Sequence, residues 1–258
     1  MGRFSDTVAV ITGGATGLGL ATAHLLAREG AEVVISGRTV ARGEQAVAAI
    51  REAGGTATFV AGSVGDDAHV AELATRAAQQ RGAIDLWFAN AAIEGQVGEI
   101  ADWDDAILTE ILMTNVKGVL SSLKHASPHM PAGSLFVLNG SFVGPVAALS
   151  NSIPYAATKS AVVTIGRCAA GALEPHGIRV VTVCPFMFWT PMLERIAGEG
   201  AADLAAVSTP SGRLGEAREI AEVVAGLWSG ATPFTSGEAL LVDAGPTISV
   251  LPPAALSS

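Results

Sequence analysis

Seven short apolar runs, separated by stretches of helical periodicity, restrict what this chain can fold into more than any other feature. They read TVAVIT (7–12), AEVVIS (31–36), TATFVA (56–61), IDLWFA (84–89), SLFVLN (134–139), IRVVTV (178–183) and EALLVD (238–243). Each is apolar throughout instead of alternating, which is the pattern of a strand buried on both faces. Helical patterns lie near 17–29, 41–53, 67–80, 104–127, 155–174 and 216–229. Strand and helix in alternation predict an α/β, doubly wound sheet of about seven mainly parallel strands. Right-handed crossovers then put ligands at the C-terminal strand ends, where the strand order reverses. With no internal repeat or low-complexity linker in the 258 residues, the expectation is one domain over 1–245. The prolines of 246–258 suggest an extended tail.

Composition narrows the partners. Fifteen Lys plus Arg against 24 Asp plus Glu give a formal charge of −9 with no basic run, so neither nucleic acid nor an anionic membrane is an expected partner. Half the residues are apolar and mean hydropathy is +0.45, but no unbroken apolar run approaches the roughly 18 residues of a membrane span. MGRFSDTVAVITGG enters the first apolar run without a charged leader, which predicts a cytoplasmic protein. Cys168 and Cys184 lie in apolar sequence and read as buried, reduced thiols. His125 and His129 have helical spacing, but Pro128 intervenes and no carboxylate joins them, so they read as solvated residues near a helix end and no metal site is expected.

Directly after the first run comes TGGATGLG, Thr12 to Gly19, and then a helical pattern. Glycines allow a tight turn and close approach of a phosphate, and the free N–H groups opening the helix favour an anion. Strand, glycine loop and helix in that order predict dinucleotide binding.

Thr12, Gly13, Gly17 and Gly19 match the TGxxxGxG loop of the short-chain dehydrogenase/reductase family, which the chain resembles from about residue 5 to 245. The resemblance implies a Rossmann-type sheet in the order 3-2-1-4-5-6-7, with Thr16 and Leu18 also at the cofactor. After the second strand the chain reads ISGRTVAR, with Gly37 where an NAD-selective relative carries Asp, and Arg38 next. A carboxylate there suits the ribose hydroxyl of NAD, whereas an Arg fork suits the 2′-phosphate of NADP. NADP(H) is therefore the preferred cofactor and NAD(H) the alternative.

YAATK, Tyr155 to Lys159, opens the helix before the sixth strand. Positions four apart share a helix face, and a cation beside a phenol favours the phenolate, which gives Tyr155 a route to acid/base work. Tyr155 is also the chain's single tyrosine. YxxxK is the family signature, LNGSFVG resembles its catalytic-serine segment at Ser141, and MTNVKG its asparagine segment at Asn115. The resemblance implies that Lys159 binds the nicotinamide ribose and lowers the pKa of Tyr155, and that Tyr155 exchanges the proton. By the same resemblance Ser141 holds the substrate oxygen, Asn115 holds a relay water, and hydride passes between nicotinamide and substrate carbon.

Three segments depart from the family pattern. ANAA replaces NNAG, retaining Asn90 and Ala91; Ser63, before Val64, replaces an Asp that commonly meets the adenine. In CPFMFWTPM, Pro185 is followed by Phe186 instead of Gly, with Thr190 retained. Family position puts Asn90, Ala91, Ser63, Val64, Pro185, Phe186 and Thr190 at the cofactor. The chain has eight Phe, four Trp and one Tyr, yet Phe186, Phe188 and Trp189 fall within four positions. Small-molecule pockets are mostly apolar with a few directed polar groups, so Phe142, Phe186, Met187 and Trp189 are expected around the substrate, with core packing claiming one or two of the apolar cluster. A lid over about 190–213 follows from the resemblance.

The implied activity is interconversion of a ketone or aldehyde with an alcohol, on an uncharged, partly hydrophobic small molecule, by a homo-oligomer (tetramer or dimer). An NAD-dependent alcohol dehydrogenase and a non-catalytic cofactor-binding regulator are the alternatives.

Overall fold

A computed structural model describes residues 2–197, 211–231 and 235–245. The proposed tail, 246–258, and most of the expected lid lie outside the described residues. The chain alternates β1 (Val8–Thr12), α1 (Gly17–Arg28), β2 (Glu32–Gly37), α2 (Val40–Glu52), β3 (Thr56–Ala61), α3 (Asp67–Arg81) and β4 (Leu86–Ala89). There follow α4 (Asp105–Leu112), a π turn (Met113–Lys117), α5 (Gly118–Ala126), β5 (Leu135–Asn139), α6 (Ile153–Leu173), β6 (Arg179–Pro185), α7 (Pro191–Ala197), α8 (Ala217–Trp228) and β7 (Ala239–Val242).

The strands form one sheet in the order β3-β2-β1-β4-β5-β6-β7, and every pairing is parallel. Successive strand side chains point to opposite faces, so apolar runs feed two cores. Phe88 packs with α1, α2 and α8 on one face; Trp87 and Phe136 pack with α3, α5 and α6 on the other. The strand order reverses between β1 and β4, parallel neighbours whose outgoing connections lead to opposite halves of the sheet. Ligands of such sheets bind at that crevice.

Two differences from the sequence pattern lie close to the crevice. β6 runs on through Pro185 because Cys184 and Pro185 keep pairing with Leu241 and Val242 of β7. The single helix expected over 104–127 starts from Asp104, whose carboxylate accepts from the N–H groups of Ala106 and Ile107, but widens into a π turn at 113–117. Insertions of this kind recur at functional sites, and this one carries the buried Asn115. The continuous run Asp105–His129, which contains an 18-residue stretch of mean hydropathy 1.2, is long and apolar enough to cross a membrane by length and composition, but its α5 portion packs on α3 and beneath β4. His125 is not simply solvated: its Nε2 lies 3.0 Å from Asp67 on α3. Cys184 is buried as expected, but Cys168 is exposed, on the outer face of α6. Among the described residues no His, Cys, Asp and Glu group could hold a metal.

Candidate active site

The site begins where β1 ends. The Thr12 hydroxyl accepts from the main-chain N–H groups of Asn90 (3.0 Å) and Ala91 (3.1 Å). In return the Asn90 amide donates to the carbonyls of Thr12 (2.9 Å) and Gly13 (3.2 Å). Asn90 thus joins β1 to β4 across the reversal point. Ala92, where relatives have Gly, needs no strain, since Asp6 and Ala244 are the described non-glycine residues at positive φ.

Two glycines shape the loop. Gly17 has φ +54, a conformation L side chains rarely adopt. A Cβ at Gly19 would stand 2.5 Å from the Gly13 carbonyl oxygen, so hydrogen alone lets α1 press onto the loop. Thr16, exposed at the N-cap, makes no side-chain capping bond. The first N–H groups of a helix have no partner within it and suit an anion. Around Gly17 nothing lies closer than 3.6 Å to where a Cβ would be, and the nearest atoms belong to Thr190 and Pro191. A glycine cradle beside open helix donors fits a dinucleotide pyrophosphate.

The flanks are less uniform. Leu18 is half-buried on the α1 core, Val64 is buried, and Ser63 accepts from the Gly65 N–H at 3.3 Å. Arg38 reaches across the opening to α4, its Nη1 donating to Glu110 Oε1 at 2.6 Å. That partner was not foreseen: the guanidinium expected for a phosphate is held by a carboxylate.

Tyr155, Lys159 and Ser141 come together at the ends of β5 and β6. Lys159 is 2% exposed and its Nζ donates to the Asn139 carbonyl at 2.6 Å. The Asn139 amide donates to Asn90 Oδ1 at 3.1 Å. A chain of bonds therefore runs from Thr12 through Asn90 and Asn139 to Lys159, linking glycine loop and YxxxK helix. Ser141, buried, accepts from the Val143 N–H at 3.1 Å. Asn115 bonds Ile93 twice, donating to its carbonyl and accepting from its N–H at 2.9 Å each, and donates to Thr158 Oγ1 at 3.1 Å. Thr158 in turn donates to the Tyr155 carbonyl at 2.8 Å.

The acid/base balance differs in sign from the expectation. Burial pushes the Tyr155 phenol up to about 12, opposed by its hydrogen bonding with Ser141 and reinforced by the charge of Glu94. Burial also brings Lys159 down to about 8. The ammonium is committed to Asn139, 5.6 Å from the phenol ring centroid, and desolvation sets the direction of the phenol's shift.

CPFMFWTPM divides its apolar side chains. Phe188 is buried against Gly215, which is the core packing expected for part of the cluster. Phe186 donates its N–H to the Val242 carbonyl at 3.0 Å, and its ring meets that of Phe142 at 4.3 Å and 60°. The two form one aromatic pair beside Ser141. Met187, half-buried, and Trp189, 50% exposed, hold Gly215 through main-chain bonds. Pro185 is buried at the strand end, and the Thr190 hydroxyl accepts from the Leu193 N–H at 3.3 Å, opening α7. Asn139, Thr158, Glu94 and Glu110 were not assigned from sequence. Asn139 and Thr158 lie inside the LNGS and YAATK segments, but Glu94 and Glu110 carry no motif.

A family model described as enoyl-(acyl carrier protein) reductase matches residues 13–247. The cis-4-hydroxycyclohexanecarboxylate dehydrogenase of Sinomonas cyclohexanicum is 39% identical over 246 residues, covering 95% of this chain and 98% of the relative. The crystal structure of levodione reductase superimposes with a TM-score of 0.89 at 32% identity, covering 95% of this chain and 99% of that one. A short-chain dehydrogenase from Burkholderia cenocepacia, solved in complex with NADP, gives 0.88 at 28% identity with the same coverage. Sheet order, glycine loop and these likenesses agree: the chain belongs to the short-chain dehydrogenase/reductase family and is an oxidoreductase acting on CH–OH or carbonyl groups.

Proposed function

We propose that the chain is a cytoplasmic, NADP(H)-dependent oxidoreductase that interconverts an uncharged, partly hydrophobic ketone or aldehyde with its alcohol, using Tyr155 as general acid/base. The observation that carries this reading is the hydrogen-bonded line from Thr12 to Lys159, which ties a dinucleotide loop to the helix that bears Tyr155, half-buried beside the buried Ser141. A bound nicotinamide nucleotide supplies the hydride donor or acceptor. Ser141 holds the substrate oxygen and Tyr155 gives that oxygen its proton in reduction or takes it in oxidation. Lys159, fixed on the Asn139 carbonyl, positions the ribose side of the site. Asn115 acts by position, holding Ile93 and the first turn of α6. The apolar groove between α5 and α6, with Leu120, Leu123, Ile165 and Cys168 in its lining, suits a contact between copies in a homo-oligomer.

A phenol raised to about 12 stays protonated at neutral pH, the form that donates. Carbonyl reduction should therefore run well at neutrality and fall only in strong alkali, whereas alcohol oxidation, which needs the base form, should rise with pH. Profiles of kcat/KM against pH in both directions check this; parallel profiles would contradict it.

The preference for NADP(H) rests on Arg38. Arg38→Ala should raise the NADPH dissociation constant by about tenfold and that of NADH far less, the size of one charge-assisted contact. Because Glu110 competes for the same guanidinium, Glu110→Gln should tighten NADPH selectively. Titration of both nucleotides decides. Equal effects on the two favour the second reading, an NAD-dependent alcohol dehydrogenase in which Arg38 serves Glu110.

A further inference from the structure

Glu94 and Arg195 form a two-point ion pair beside the catalytic group. Arg195 Nε donates to Oε1 at 2.8 Å and Nη2 to Oε2 at 3.1 Å. Glu94 directly follows Ile93, whose N–H and carbonyl are both fixed by Asn115. Arg195 comes from α7, the helix opened by Thr190. The side chains differ in depth: the carboxylate is 23% exposed and the guanidinium 58%, so the acid is built into the site and the arginine reaches in from its edge. Asn115 also donates to Thr158, which donates to the Tyr155 carbonyl, so one set of hydrogen bonds ties the Ile93–Glu94 segment to the first turn of α6 that carries the phenol.

This guanidinium has the fork that binds carboxylates in general, and Glu94 fills two of its donor positions. We propose that Glu94 sets the charge selectivity of the substrate site: it occupies Arg195 as a built-in carboxylate, bars anionic substrates and leaves the site to uncharged ones. The inference rests on the oxidoreductase reading above. A substrate carboxylate would meet the like charge of Glu94 and could take Arg195 only by leaving Glu94 unpaired and largely shielded from water, which is unfavourable. Glu94→Gln keeps the shape, removes the repulsion and leaves Arg195 with a net positive charge.

The test uses matched substrates differing in charge, cis-4-hydroxycyclohexanecarboxylate and its methyl ester. The native protein should favour the ester in kcat/KM by about tenfold or more, and Glu94→Gln should raise the acid-to-ester ratio of kcat/KM by about tenfold. Adding Arg195→Gln should abolish the gain. Native preference for the acid, lost in Arg195→Gln, would make Arg195 an anion receptor and overturn the proposal. So would an acid-to-ester ratio unmoved by Glu94→Gln. If neither compound turns over, that result bears on the substrate class. The charge question is then decided by calorimetric binding of cyclohexanecarboxylate to the nucleotide-loaded protein, where about tenfold tighter binding in Glu94→Gln supports the proposal and equal binding overturns it.

Discussion

Replacing Tyr155 by Phe should lower kcat/KM for a carbonyl or alcohol substrate by about 10²–10⁴-fold, the range of a positioned general acid or base. The substitution removes the phenolic oxygen and leaves the ring. Lys159 keeps its bond to the Asn139 carbonyl and the Thr12–Asn90–Asn139 chain is untouched, so nucleotide affinity should change little. The melting temperature should hold or rise slightly, because a polar group shielded from water is lost along with its desolvation cost. Steady-state kinetics alongside nucleotide titration separate the effects. A large fall in nucleotide affinity with kcat unchanged would mean that Tyr155 serves binding and that the proton travels elsewhere.

Asn115→Ala should act through stability first. Its amide satisfies both main-chain groups of Ile93 and reaches Thr158 from a residue that is 1% exposed. Leaving buried donors and acceptors without partners costs about 1–3 kcal/mol each. The expected loss is about 3 kcal/mol, or about 5–10 °C in melting temperature for a chain of this size. Activity should fall with it, since Ile93 leads into Glu94 and Thr158 holds the Tyr155 carbonyl. Thermal unfolding and kinetics measured together are decisive. A loss of activity as large as that of Tyr155→Phe with an unchanged melting temperature would return Asn115 to the proton-relay role implied by family resemblance.

What the sequence reveals and what it conceals have separable causes. A strand covered on both faces must be apolar along its length, so the seven runs were legible, while the strand order came from the family resemblance. Boundaries were less so: IDLWFA starts as strand only at Leu86, because Asp85 spends its carboxylate on the Val8 N–H. The π turn inside 104–127 was hidden, since the apolar periodicity runs on through it while the bonds that fix Asn115 come from Ile93 and Thr158.

In the site, residues whose chemistry depends on local spacing, such as the glycine loop and YxxxK, stood out. Ion pairs closed over long separations did not. Arg38 and Glu110 are 72 positions apart, and Glu94 and Arg195 are 101. The sign of the Tyr155 shift was equally out of reach, because spacing identifies the nearby cation but not the burial that raises the phenol.

The central claim, that this fold performs carbonyl–alcohol chemistry and does not merely hold a nucleotide, is tested most directly by product stoichiometry. The purified protein is incubated with NADPH and a panel of uncharged cyclic ketones, and alcohol formed is measured against nucleotide oxidised. Alcohol and oxidised nucleotide are expected in equal amounts, with the reaction suppressed in Tyr155→Phe. Tight nucleotide binding with no alcohol from any ketone, and no carbonyl from the corresponding alcohols with either oxidised nucleotide, would contradict it.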